Sequence, residues 1–109
     1  LLREAASSGK PLLVTENGLA DAADAKRVAF LEEHVAVLAE AEEEGLPVHG
    51  YLHWSLVDNF EWLDGWEPRF GLLELDRETL ARRPRPSSEA FRGLAAAYLA
   101  RSRAVSAGR

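Results

Sequence analysis

Pro11-Leu12-Leu13-Val14-Thr15-Glu16-Asn17-Gly18 is the stretch that decides the fold. It is an apolar run of strand length closed by Asn-Gly, and apolarity on both parities marks a parallel strand buried on both faces. Upstream, Leu1 to Ser8 read as the last turns of a helix stopped by Gly9. Downstream, Asp21 or Asp24 offers a capping carboxylate for a helix carrying Val28, Leu31, Val35 and Leu38 at spacings of three and four. That amphipathic helix runs for about twenty residues, to Gly45-Leu46-Pro47. Its other face holds Glu32, Glu33, Glu40, Glu42, Glu43 and Glu44, a solvated surface. Val48-His49-Gly50-Tyr51-Leu52-His53-Trp54-Ser55-Leu56 reads as a second strand, so residues 11–56 spell strand, helix, strand, with the crossover that a right-handed parallel connection needs.

Two buried parallel strands need neighbours on both edges and a helical layer outside them. The remaining sequence supplies too little of either. It offers a turn-rich aromatic segment from Asp58 to Gly71, a short strand over 70–76, an arginine and proline linker, and a helix over about 87–101. The expected fold class is therefore α/β, the closing part of a larger barrel of typically about 250 residues. The 109 residues contain no Met, and Leu1 in first place reads as the start of a piece cut from something longer.

Composition narrows the function. With 47% hydrophobic and 28% charged residues, the chain is globular in character and not a disordered tail. The absence of cysteine excludes a disulfide framework, a thiolate metal site and a cysteine nucleophile. No run approaches the roughly 18 apolar residues of a membrane span, and a net charge of -5 speaks against general nucleic-acid binding. No targeting address is legible; a cytoplasmic location is favoured over a secreted one. Residues 1–76 hold five basic and sixteen acidic groups, and residues 77–109 hold eight and two. The basic end is read as a solvated helix face with a frayed tail over 101–109, leaving residues 1–100 as the barrel part.

Strand alternation puts Leu12, Val14 and Glu16 on one face, so an acid stands at the C-terminal end of an apolar barrel strand. Barrel enzymes keep their catalytic groups there, although a capping or loop carboxylate would look the same. Leu52 and Trp54 share a face by the same rule. Trp54, Phe60, Trp62, Trp66 and Phe70 fall within seventeen residues, among Asp58, Asn59, Glu61 and Arg69. Such a cluster is either a satellite hydrophobic core under a loop or a sugar site, where aromatic faces pack on a pyranose and polar handles take its hydroxyls.

These stretches, with Gly50-Tyr51-Leu52-His53-Trp54-Ser55-Leu56-Val57-Asp58-Asn59-Phe60-Glu61-Trp62 and Arg69-Phe70-Gly71-Leu72, resemble glycoside hydrolase family 1, the β-glucosidases and β-galactosidases. The resemblance spans residues 10–98. It implies the C-terminal quarter of a (β/α)8 barrel, comprising the last two barrel strands, their connecting helix and the final helix. It also implies retaining hydrolysis of β-glycosides or oligosaccharides, with Glu16 as the nucleophile. Trp54 would form the platform under the non-reducing sugar, and Glu61 would bind its 4- and 6-hydroxyls. Trp62 would donate toward the 3-hydroxyl, and Phe70 would wall the 6-position. Asp58 and Asn59 are assigned to shaping the loop.

The family's acid/base glutamate lies in a Thr-x-Asn-Glu-Pro motif, and no Asn-Glu-Pro occurs here. The chain is therefore expected to depend on an N-terminal part of the same barrel and to be inactive alone. Members acting on 6-phosphorylated sugars resemble this chain but typically lack the Glu-Trp pair; Glu61-Trp62 points to neutral glycosides, since a carboxylate repels a phosphate. Glucose, galactose and fucose are not distinguished. His34, His49 and His53 read as core or interface residues, the last two facing the helical layer with Tyr51, so neither metal nor cofactor is implied. A non-catalytic sugar-binding module, or a structural piece of a degenerate barrel, is the alternative.

Overall fold

The structure, a computed structural model, describes residues 1–107, with side chains through residue 101. Seven elements follow in order: α1 (Leu2–Ala6), β1 (Leu12–Asn17), α2 (Arg27–Glu43), β2 (Val48–His53), β3 (Leu73–Leu75), β4 (Arg82–Pro84) and α3 (Pro86–Ala107). β1 and β2 pair in parallel and α2 connects them, as the sequence predicts.

Helices cover one face of that pair. Tyr51 and His53 of β2 stack on Phe91 of α3, with ring centroids 6.4 and 5.9 Å apart, and Arg101 of α3 bonds Glu42 of α2 at 2.5 Å. Leu31 and Val48 are buried between the layers. Leu52, one residue on from Tyr51, lies on the opposite face and is 54% exposed. That open face is the side a closed barrel turns inward.

Several boundaries differ from the sequence reading. β2 ends at His53, so Trp54 lies just beyond the strand. The short strand is confined to Leu73–Leu75, and the segment read as a linker contains β4, which pairs with it antiparallel. α3 continues to Ala107, six residues past the helix end read from the sequence, and residues 108–109 lie outside the described residues.

The capping expectation also changes. Asp21 does serve α2, its carboxylate accepting the Lys26 N–H at 2.7 Å. Asp24, at φ 55°, instead accepts the Ser87 N–H at 2.8 Å and so caps α3. The same carboxylate pairs with Arg27, which is fully buried. Arg27 donates further to the carbonyls of Asp21 and Arg69, both at 2.6 Å. A buried guanidinium is tolerated because its donors are met on several sides.

Candidate active site

The register between the two strands decides where Glu16 stands. Val14 pairs with Tyr51 and Asn17 with His53, so three steps on β1 oppose two on β2. The surplus residue makes a bulge, and Thr15 and Glu16 are exposed in succession. The bulge interrupts the regular alternation between Val14 and Asn17. Glu16 also borders a cavity of about 550 Å³ with Arg3, Val14, Asn17 and His34.

Asn17 anchors the bulge. Its side-chain oxygen accepts the Tyr51 hydroxyl at 2.9 Å, and its carbonyl accepts the Trp54 N–H at 2.9 Å. Burial pushes the Tyr51 hydroxyl up to about 12, so it stays a neutral donor. Gly18 then passes directly over Trp54, where any Cβ would run into the Trp54 carbonyl. The glycine of Thr-Glu-Asn-Gly is thus a requirement of close backbone approach.

Trp54 leads into the second half of the rim through a cis peptide to Ser55. The Trp54 indole N–H donates to Glu61 Oε1 at 3.2 Å. Asn59 Nδ2 donates to the same oxygen, and Ser55 Oγ lies 3.1 Å from Asn59 Oδ1. The Glu61 backbone closes a tight loop by exchanging bonds with Gly65, at 2.8 and 2.9 Å, with Gly65 at φ 67°. Phe70 joins this set through its carbonyl, which accepts the Ser55 N–H at 3.3 Å. Trp54, Asn59, Glu61 and the Phe70 backbone therefore form one connected set, which Glu16 adjoins only through its chain neighbour Asn17. Trp62 does not join it: at the loop tip it is 88% exposed.

Asp58 holds the loop from beneath. Its buried carboxylate accepts two bonds from Arg85, at 3.0 and 2.9 Å, and one from the Gly71 N–H at 2.9 Å. Burial alone would raise its pKa, but these bonds and the Arg85 charge outweigh burial and hold it below the usual carboxylate range. The rest of the aromatic cluster is a separate stack, with Phe60 edge-on to Trp66 at 5.8 Å and Arg77 over the Trp66 ring at 5.0 Å.

The histidines divide. His53 faces the helical layer with Tyr51, and burial, then the Arg27 charge, push its pKa down. His34 bonds the Phe30 carbonyl through Nδ1 at 2.7 Å. His49 is exposed, at a second irregularity where two steps of β2 oppose one of β1. Among the described residues no group of three acidic or histidine side chains has a metal-binding arrangement, and no helix is long and apolar enough to cross a membrane. Sequence reasoning missed the buried Arg27, because an arginine opening a helix ordinarily reads as solvated.

Residues 2–98 match glycosyl hydrolase family 1. The chain belongs to this family. It is 49% identical over 84 residues to a β-galactosidase of Sulfolobus acidocaldarius, an overlap covering 77% of this chain and 17% of the relative. It is 46% identical over 82 residues to a chloroplastic galactolipid galactosyltransferase of Arabidopsis thaliana, covering 74% and 13%. The β-glycosidase of Thermosphaera aggregans superposes with a TM-score of 0.84 at 48% identity, covering 87% of this chain and 20% of that one. The chain thus spans about a fifth of the length of such family members and forms a partial (β/α)8 barrel, as the sequence predicts.

Proposed function

We propose that this chain contributes the nucleophile and much of the sugar-facing rim of a retaining β-glycosidase. Glu16 attacks the anomeric carbon, the aglycone leaves, and water then cleaves the glycosyl ester. The observation that carries the reading is the hydrogen-bonded set Trp54–Glu61–Asn59, tied through the Trp54 N–H to the Asn17 carbonyl beside Glu16. Trp54 offers an apolar face to a pyranose, Glu61 accepts from its 4- and 6-hydroxyls, and Phe70 bounds the 6-position. Trp62, at the exposed loop tip, donates to the 3-hydroxyl once the barrel is complete.

Retention requires a second carboxyl about 5 to 5.5 Å from the nucleophile, acting as acid and then base. The rest of the barrel supplies it, so the 109 residues alone do not turn over substrate. Neutral glycosides are the substrates, because Glu61 repels a phosphorylated sugar. Transfer to a sugar hydroxyl passes through the same intermediate; the similarity to a relative named a galactosyltransferase favours this second outcome in some settings.

The test is intact-mass analysis after incubation with a 2-deoxy-2-fluoro β-glucoside bearing an activated aryl leaving group. In the complete barrel an adduct should map to Glu16, and the isolated chain should remain unlabelled. An adduct elsewhere in the complete barrel overturns the assignment.

A further inference from the structure

We propose that Asn59 positions the Glu61 carboxylate and thereby sets how sharply the pocket reads the hydroxyls of the sugar. The inference rests on the sugar-binding role of Glu61 proposed above. Both donors that reach Glu61, the Trp54 indole and the Asn59 amide, converge on Oε1. Among the described residues no hydrogen bond reaches Oε2, and two donors on one oxygen restrict the rotation of the carboxylate. One donor alone would hold that rotation less tightly.

The orientation of the Asn59 amide follows from its neighbours. Reversed, it would set a carbonyl oxygen against the Glu61 carboxylate, so the NH2 group must face Glu61 and Oδ1 must face Ser55. Ser55 is a firm support: it is buried, its N–H bonds the Phe70 carbonyl, and its carbonyl accepts the Leu72 N–H at 3.0 Å. The Glu61 backbone is held separately by Gly65. Asn59 consequently links Ser55 to the Glu61 side chain, which makes it a positioning residue.

The experiment compares the complete enzyme with Asn59→Ala, Asn59→Asp and Glu61→Ala variants on an aryl β-glucoside and its 4-deoxy and 6-deoxy analogues. Asn59→Ala should lower kcat/KM for the glucoside roughly tenfold and for each deoxy analogue by clearly less, since each keeps only one of the two hydroxyls that Glu61 accepts, so discrimination narrows. The near-isosteric Asn59→Asp should lose at least as much, because it turns a donor into a repelling charge; thermal midpoints establish that each variant folds. Discrimination lost in Glu61→Ala but intact in both Asn59 variants, or an equal fall on all three substrates, overturns the inference. Discrimination that survives Glu61→Ala overturns the underlying role of Glu61 instead.

Discussion

Arg85 grips Asp58 with two parallel hydrogen bonds, Nη1 to Oδ1 at 3.0 Å and Nη2 to Oδ2 at 2.9 Å, where the carboxylate is fully shielded from solvent. Removing either partner strands a buried charge, so Asp58→Ala should cost about 3–5 kcal/mol in a denaturant titration of the complete protein. The folded state holds this carboxyl below its ordinary 3.8. Its contribution is therefore complete above that pH and is lost as pH falls from there through the lower folded value, and Asp58→Asn should flatten the acid limb of the stability curve.

Tyr51 governs the opposite limb. Its pKa is raised from 10.0 to about 12, so the folded protein retains a proton that the unfolded chain releases first. Stability should be level with respect to this group below pH 10 and decline between 10 and 12. Tyr51→Phe should reduce that decline in alkaline melts, at the expense of the bond to Asn17.

Glu16→Gln removes the proposed nucleophile while keeping side-chain size, and Glu16 makes no side-chain hydrogen bond among the described residues of this chain. The complete enzyme should keep its stability within about 0.5 kcal/mol and lose turnover by orders of magnitude. Near-normal hydrolysis by this variant would exclude Glu16 as the attacking group.

At Gly18 the expected effect is steric. A methyl group there meets the Trp54 carbonyl, and relief requires the strand end and Trp54 to separate. Gly18→Ala should destabilise by about 1–3 kcal/mol or more and depress activity beyond what the stability loss explains. Thermal melts and kinetics below the melting range separate the two effects.

The strand–helix–strand order was legible because it rests on long apolar periodicities, and so was the placement of an acid at a strand end. The bulge between Val14 and Asn17 was not, because alternation presumes an unbroken ladder and the bulge arises from pairing with a distant strand. β4 was hidden for a related reason: Arg82–Pro84 has no apolar signature and becomes a strand only by pairing with Leu73–Leu75. Asp24 read as a cap for the nearer helix, whereas it caps a helix that begins more than sixty residues later. Trp54 and Glu61 lay close in sequence, but their direct bond depends on how the loop folds back through Ser55 and Asn59.

Separated from the rest of its barrel, the chain leaves Leu13 and Leu52 each 54% exposed and Leu56 65% exposed. Apolar surface of this kind recruits partners. The isolated 109 residues should bind a hydrophobic dye strongly and sediment as aggregates, and a sharp monomer peak without dye binding would contradict this.

The Asp24 carboxylate spans the start of one helix and the start of another, gripping Arg27 and the Ser87 amide together. The start of the last helix and the loop after β1 are therefore tied through one carboxylate, and loosening the helix start uncovers the buried Asp24–Arg27 pair. In native-state hydrogen exchange the Ser87 amide, though at a helix's first turn where amides ordinarily fray, should exchange with the protection of the interior, marking the two ends as a single cooperative unit.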